Sequence, residues 1–392
     1  MKPNNMLAAG VISLALAILL PLTVLGSSSA GVIAFVVLVL AALWAVYTIE
    51  KRRALLTSLI GVIAAIAYPL VFNSTEATTI MFFALLYVAI ASSWNIIGGF
   101  TGYISLGHAA FFGLGAYTIA LVADRLGLSG GYGLFAVALL GGVAAGLFAI
   151  PMGYIALRLR TIHSFVIVTI AFLFMYQLLA FNLQDATNGS SGLAVPQPDW
   201  SGAFFNIPFY FAALLLAVLT VGLAAWIRNS RFGLGLMAIR DDEDKAAGVG
   251  VDTWKHKFTA YVISAVPIGI AGAIYAYFSS YIYPQTVFDP MIDLTIVLSA
   301  FLGGMGTLLG PILGSLVLQP AQQLLTLYTG AAGWDLVLFG VLFLVVILLM
   351  PSGIVPTVVE RMRRARVQEA VRKADALSQD AVPDAAAEGG QG

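Results

Sequence analysis

Long apolar segments constrain this chain more than any other feature of its sequence. They run for about 18 to 25 residues, the length that a helix needs to cross the apolar core of a bilayer. Hydrophobic residues make up 60% of the chain and charged residues 10%, whereas charged residues approach about a quarter of a soluble domain. Lipid must therefore solvate the chain, and only helices or closed barrels satisfy every backbone group there. Because the short alternating pattern of barrel strands is missing, the sequence predicts an all-α polytopic membrane protein.

Basic residues are distributed asymmetrically between these segments. Cytoplasmic loops of membrane proteins carry an excess of Lys and Arg, so the basic clusters mark the inner side. With the clusters inside, 18 of the 19 basic residues and 12 of the 19 acidic residues lie there, and Arg125 with 7 acidic residues lies outside. Both termini are then cytoplasmic. The clusters are Lys2, 51–53, 158–160, 228–257 and 361–373.

About 10 to 12 hydrophobic segments are predicted, arranged in three parts. An N-terminal extension over 1–75 holds about three spans. A membrane core over 76–355 has an outer loop at 183–207 and a large inner loop at 228–257. The tail, 356–392, is cytoplasmic and predicted to be largely disordered, because its end has almost no large apolar residues. The uninterrupted spans are 7–25, 30–49, 54–72, 133–157, 163–182, 208–227, 258–281 and 334–350.

Two stretches, 92–123 and 294–328, contain no Asp, Glu, Lys or Arg and share one pattern. Each has a Gly-rich break, Gly98–Gly102 in the first and Gly303–Gly306 in the second, followed by an apolar segment with small residues. Transporters are often built from two related halves with interrupted helices in corresponding places. The sequence therefore predicts two related halves with Gly-broken or re-entrant helices. Whether these segments cross fully or re-enter, the predicted sidedness of the other segments is the same. The alternative to two related halves is chance clustering of glycines, of which the chain has 40.

The inner loop 228–257 carries the most specific local pattern. Asp241 or Asp242 can cap a short helix with an acidic first turn, and Gly248 or Gly250 can end it. A short charged helix with small residues on one face is suited to docking into a soluble partner, whereas composition alone favours an ordinary solvated loop. The candidate docking residues are Arg240, Asp241, Asp242, Glu243, Ala246, Ala247 and Gly248.

Three segments together resemble the LivM-type permeases of bacterial ABC importers for branched-chain amino acids. They are 94–118 (WNIIGGFTGYISLGHAAFFGLGAYT), 231–252 (with RFG, AIRDDE and GVGV) and 302–315 (LGGMGTLLGPILGS). Their order and spacing fit from about residue 78 to 355, and the AIRDDE string favours the LivM type over its LivH-type paralogues. The family's outer T-G-G-[SN]-G string is matched only loosely, by TNGSSG at 187–192.

The resemblance implies a permease subunit of an ATP-driven importer in the bacterial cytoplasmic (inner) membrane. Branched-chain or related aliphatic amino acids would be moved into the cytoplasm. The implied partners are two ATP-binding cassette subunits, a LivH-type permease forming a heterodimer, an extracytoplasmic substrate-binding protein and membrane lipid. The ATPase subunits would hydrolyse ATP, so this chain is predicted not to be an enzyme. It lacks the G-x-x-x-x-G-K-[ST] phosphate loop and shows no pattern for a cofactor, a metal ion or nucleic acid.

Polar and glycine residues of the two charge-free stretches are candidates for a translocation path or gate, because polar groups at membrane depth usually face the protein interior or a water-filled cavity. Hydrogen bonding between packed helices is the alternative. The candidate residues are Asn95, Gly98, Gly99, Thr101, Ser105, His108, Gly303 and Gly304.

Three other functions compete with this prediction. A urea or short-amide permease of the same family would share every motif above. An ion-coupled secondary transporter usually needs an ionisable residue at membrane depth, and the sequence predicts none well inside a span. A structural membrane protein would leave the paired glycine breaks and the acidic inner loop unexplained.

The charge asymmetry predicts that residues 183–207 face outward and residues 228–257 face inward. The chain has no cysteine, so Ser191→Cys and Thr253→Cys each introduce a single thiol. We expect a membrane-impermeant maleimide to label Ser191→Cys in intact cells and Thr253→Cys only after permeabilisation. Labelling of Thr253→Cys in intact cells would contradict the predicted topology.

Overall fold

The protein is almost wholly helical over the residues that the computed structural model describes. In that part of the chain, seven segments are long and apolar enough to cross a membrane. The predicted class, a polytopic α-helical membrane protein, is therefore confirmed. Spans 7–25 and 30–49 lie outside the described residues, and 54–72, 334–350 and the tail lie almost wholly outside them. The described residues are 65, 68–69, 74–159, 161–198, 200, 205–329, 340–341, 344, 353–357, 360 and 367–368.

Twelve helices and one short strand pair follow one another in the described part of the chain. The first half comprises α1 (Thr75–Thr101), α2 (His108–Leu126), α3 (Gly133–Ala156), α4 (Ile162–Asn182), α5 (Gln184–Thr187), a 3₁₀ turn (Gly189–Ser191), β1 (Leu193–Ala194) and α6 (Ile207–Arg228). The second half comprises α7 (Arg231–Asp241), α8 (Glu243–Gly248), α9 (Thr253–Ser279), β2 (Tyr281–Ile282), α10 (Pro284–Val287), α11 (Pro290–Gly303) and α12 (Leu309–Thr329). Four spans predicted at 133–157, 163–182, 208–227 and 258–281 correspond to α3, α4, α6 and α9.

Helix α1 lies at the centre of the described part of the protein. It is apolar around its whole circumference and buried along almost its entire length, as expected of a helix that is surrounded by other helices. Helices α6, α9, α11 and α12 pack around it. Helices α3 and α4 instead leave large apolar side chains such as Leu147 and Ile167 exposed, which suits contact with lipid.

Glycines let α9 pack directly against the backbone of α2. A Cβ at Gly115 would overlap the carbonyl oxygen of Gly269, and a Cβ at Gly272 would overlap that of Phe112. Lipid tails are as apolar as side chains, so close backbone packing is a main source of helix association in membranes. The α2–α9 pair therefore depends on residues that have no side chain.

Residues 184–194, part of the predicted outer loop, form short elements of regular structure that join the chain after α9. Strand β1 pairs antiparallel with β2, with Leu193 opposite Ile282. The TNGSSG string makes its turn with positive φ angles at Asn188 (55°), Gly189 (55°) and Gly192 (75°). Asn and Gly are the residues that adopt this conformation most readily, which explains the local composition.

The two glycine-rich breaks differ from one another. Helix α1 continues through Gly98 and Gly99 and ends at Thr101, where Gly102 has a φ of 78°. The first break therefore covers 102–107, not the predicted Gly98–Gly102, because Gly98 and Gly99 pack closely as helical residues. The second break falls as predicted: α11 ends at Gly303, and the following Gly304 has a φ of 121°.

The α2–α9 packing generates a stability prediction. Gly115→Val forces two backbones apart and should cost about 1–3 kcal/mol through overpacking. Gly222→Val is the matched control, because open space surrounds that glycine of α6. We expect a lower thermal midpoint and a broader size-exclusion peak in detergent for Gly115→Val alone. Equal midpoints for the two variants would contradict the packing account.

Candidate functional site

The two breaks, 102–107 and 304–308, join helices whose ends meet inside the protein, and we call them the first and second connections. The side-chain amide of Asn95, 1% exposed, binds the second connection from α1. Its Oδ1 accepts a hydrogen bond from the Gly306 N–H at 2.8 Å, and its Nδ2 donates to the Thr307 carbonyl at 2.9 Å. Gly99, one turn along α1, has no room for a Cβ between Asn95 and Gly306.

Each connection also has bonds that hold its own backbone in place. Trp94 Nε1 donates to the Ser105 carbonyl at 2.9 Å, which fixes the first connection against α1. Thr307 Oγ1 donates to the Gly304 carbonyl at 2.8 Å and accepts the Gly310 N–H at 2.9 Å, which closes the second connection and satisfies the start of α12. Backbone groups that leave a helix inside an apolar core need such partners.

Helices α7 and α8 form the predicted inner loop, and we call them the α7–α8 pair. The predicted short helix is confirmed as α8: Asp242 is its cap, with Oδ1 accepting the Lys245 N–H at 3.0 Å. Helix α7 was not predicted. Its only sequence signal is Ser230, whose hydroxyl accepts the Gly233 N–H at 3.1 Å and so caps the helix.

An ion pair between a buried lysine and a partly exposed glutamate anchors the α7–α8 pair to the membrane helices. Lys257 of α9, 4% exposed, donates to Glu243 Oε1 at 2.5 Å and to the Tyr103 hydroxyl at 3.0 Å. Tyr103 in turn donates to Glu243 Oε2 at 2.5 Å. One lysine thus joins α9, α8 and the first connection.

The anchor has a defined dependence on pH. Partial burial opposes ionisation of the Glu243 carboxyl, but hydrogen bonds from Lys257 and Tyr103 outweigh burial and hold its pKa below the ordinary value. A carboxyl with a lowered pKa stabilises the folded state above its ordinary pKa. That contribution is lost as the pH falls through the lowered pKa, so the anchor is intact at neutral pH.

The predicted docking residues fall into two groups. Arg240 points toward the membrane helices, where its Nη1 donates to the Gly99 carbonyl at 2.8 Å, and Ala246 is buried. Glu243 belongs to the anchor described above. The remaining four residues are at least partly solvent-accessible. The accessible ones are Asp241, Asp242, Ala247 and Gly248. Val249, which follows them and is 82% exposed, was missed by sequence reasoning.

Several polar side chains of the first charge-free stretch bond to other protein groups, whereas the buried hydroxyls of Ser92 and Tyr117 have no hydrogen-bond partner among the described residues. His108 Nδ1 lies 2.9 Å from Ser105 Oγ, and His108 Nε2 lies 2.9 Å from Ser264 Oγ of α9. Thr101 Oγ1 donates to the Ile97 carbonyl at 2.6 Å. These contacts favour the interpretation that the polar residues hold helices together. Within the described residues, His108 belongs to no group of three or more possible metal ligands.

Asp293 is a functional candidate that the sequence did not reveal. It lies in the first turn of α11, 2% exposed, and its Oδ1 accepts the N–H groups of His108 at 3.0 Å and Ala109 at 3.1 Å. The prediction that no ionisable residue lies inside a span is therefore wrong. Asp293 is one of the seven acidic residues that the charge asymmetry places outside the membrane, whereas its bonds to the first N–H groups of α2 let it be buried.

The buried anchor yields a prediction with a close control. Lys257→Met leaves Glu243 without its cation and should destabilise the α8 attachment by about 1–2 kcal/mol, less than for a fully buried pair because Glu243 is partly solvated. Lys255→Met removes the exposed Lys255–Asp252 pair from the same helix and should change little. Hydrogen exchange of residues 243–251 measures both. Equal exchange in the two variants would contradict an anchoring role for Lys257.

Comparison with known proteins identifies relatives along most of the chain. Residues 76–347 match the family described as branched-chain amino acid transport system / permease component. The chain is 27% identical over 334 residues to the "High-affinity branched-chain amino acid transport system permease protein LivM" of Escherichia coli, covering 78% of this chain and 75% of that protein. The Salmonella typhimurium LivM protein is 26% identical over the same shares.

A second type of relative matches a shorter part. The Escherichia coli LivH permease protein of the same transport system is 27% identical over 282 residues, covering 68% of this chain and 90% of that protein. No solved structure matches the chain.

Proposed function

This chain belongs to the permease-component family of branched-chain amino acid transport systems, and on that premise we propose that it moves branched-chain or related aliphatic amino acids into the cytoplasm. Membership makes it a non-catalytic, multi-pass transmembrane subunit of a family of ABC permeases, which pair with ATPase subunits. The resemblance inferred from its motifs is thereby confirmed. The substrate is proposed from the printed names of its relatives, at about a quarter identity.

The observation that supports an ATP-driven mechanism is the two-sided α7–α8 pair. On one side, Glu243 and Arg240 bind the membrane helices. On the other, Ala247 and the apolar side chains of Leu234 and Val249 are exposed. Contiguous exposed apolar surface marks protein-binding sites, and we propose that these three residues form such a surface. The proposed occupant is a groove of an ATPase subunit on the cytoplasmic side.

The proposed assembly contains two ATPase subunits, a LivH-type permease and an extracytoplasmic binding protein, in the cytoplasmic membrane, with both termini of this chain inside. The binding protein supplies selectivity, so the permease needs a gated passage and not a tight site of its own. We propose that the gate lies at the two connections, where Asn95 and Gly99 contact Gly306 and where Gly303 and Gly304 pack against Gly310. Gly98, Thr101, Ser105 and His108 then support the gate and do not line the passage.

Reconstitution of the complete complex in liposomes tests the function. We expect uptake of labelled leucine, isoleucine or valine that requires ATP and the loaded binding protein and does not change when ion gradients are collapsed. Uptake of urea or short amides in place of the amino acids would establish the alternative substrate class. Uptake driven by an ion gradient without ATP would instead favour a secondary transporter, for which Asp293 is the buried ionisable group.

Ala247→Trp tests docking of the ATPase subunit at α8 in the same assay. Because Ala247 is exposed while its neighbour Ala246 is buried, added bulk should block the ATPase groove without unfolding α8. We expect loss of ATPase co-purification and of uptake. Leu126→Trp, exposed at the predicted outer end of α2, should change neither. An Ala247→Trp complex that assembles and transports normally would refute docking at α8.

A further inference from the structure

The Arg240 side chain lies where both connections and the α7–α8 pair come together. It is the second-last residue of α7, and its stem packs beside Gly102, where a Cβ would lie 3.5 Å from Arg240 Cγ. Its Nη1 then reaches the Gly99 carbonyl at 2.8 Å. The side chain therefore contacts the start of the first connection through its stem and the end of α1 through its guanidinium.

The second connection lies against the same guanidinium. Gly306 has a φ of 80°, and a Cβ there would overlap Arg240 Nη1. The Gly306 N–H is bonded to Asn95 of α1, so Asn95 and Arg240 hold this glycine from two sides. Glycine is needed here both for its backbone conformation and for the space that the guanidinium occupies.

The chemistry of the Gly99 carbonyl explains why a cation binds there. It is one of the last carbonyls of α1, which lack a partner within the helix, and the carboxyl end of a helix carries partial negative charge. Among the described residues, Arg240 forms no salt bridge with a carboxylate. Arg240 is an exposed residue, so water can replace this hydrogen bond when α7 moves away from α1.

We propose that Arg240 is the positioning residue through which the α7–α8 pair controls the two connections. While the guanidinium lies on Gly99 and Gly306, the connections stay together. Movement of the pair by a bound ATPase withdraws the guanidinium and lets them part. This role rests on the proposed ATP-driven function, but the holding contact itself can be tested in the isolated chain.

Among the hydrogen bonds and glycine contacts of the described residues, no other side chain joins the α7–α8 pair to both connections. Lys257 and Tyr103 link the α7–α8 pair to α9 and the first connection only. Asn95 links α1 to the second connection only. Removing Arg240 should therefore leave the pair attached through its anchor while cutting its direct hold on Gly99 and Gly306.

Three variants test this proposal in the reconstituted complex. Arg240→Met keeps an apolar stem and removes the guanidinium, Arg240→Lys keeps the charge without the planar fork, and Arg158→Met is the control, an exposed arginine in the α3–α4 loop. We expect Arg240→Met to assemble with the ATPases but to transport about tenfold less substrate per ATP hydrolysed, within the usual range of coupling between sites. Arg240→Lys should recover part of this ratio, and Arg158→Met should match the wild type.

The amount of substrate transported per ATP hydrolysed distinguishes a role of Arg240 in coupling from a role in the stability of the protein alone. If Arg240 only caps α1, Arg240→Met lowers the thermal midpoint and both rates in parallel, and the unchanged ratio overturns the proposal. A wild-type ratio with unchanged stability overturns it as well.

Hydrogen exchange of the isolated chain separates this proposal from the proposed function. We expect Arg240→Met to accelerate exchange of residues 102–107 and 304–308 together, while residues 243–248 stay as protected as in the wild type. Unchanged exchange in the connections overturns the proposal even if the complex transports. Accelerated exchange with a wild-type complex that shows no ATP-driven uptake supports the holding contact and refutes the proposed function instead.

Discussion

The interruption between α1 and α2 places two helix ends inside the protein, and the rest of the structure is organised around satisfying them. Helix ends carry unpaired backbone groups and opposite partial charges. Arg240 supplies a positive charge to the carboxyl end of α1, and Asp293 supplies an acidic side chain to the amino end of α2. Both come from distant segments, so closing this one interruption fixes the positions of α7 and α11.

The polar side chains around the interruption therefore mainly form hydrogen bonds with backbone groups that would otherwise be unpaired. Asn95, Trp94 and Thr307 each bind backbone atoms of a connection, and His108 of α2 bridges Ser105 of the first connection and Ser264 of α9. Movement at the connections has to replace such bonds with water or with other partners. Movement without such replacement is unfavourable, because leaving buried polar groups unpaired is costly.

The sequence was sufficient for features that depend on local chemistry or on hydropathy. The apolar length of α3, α4, α6 and α9 predicted their bounds to within a few residues, and Asp242 followed by Glu243 predicted a capped α8. Prediction from the sequence failed where tertiary contacts determine the conformation or burial of a residue. Gly98 and Gly99 look like helix breakers, but they are helical because Trp94 and Gly306 pack against them. Asp293 looks like a loop residue, and only its contact with two N–H groups of α2 permits its burial. Arg240 resembles the other basic residues of its loop, and nothing local indicates that it turns inward.

The long separation of Asn95 from its partners has a consequence for biosynthesis. Gly306 and Thr307 follow Asn95 by 211 and 212 residues, and translation proceeds at about 5 to 20 residues per second. The ribosome therefore needs about 10 to 40 s after making α1 before the bonds that complete its surroundings can form. Throughout that interval the most buried helix of the finished protein carries an unpaired amide in the translocon or the bilayer. Temporary neighbours, whether lipid headgroups, water or an insertion factor, must accommodate it until the last quarter of the chain emerges.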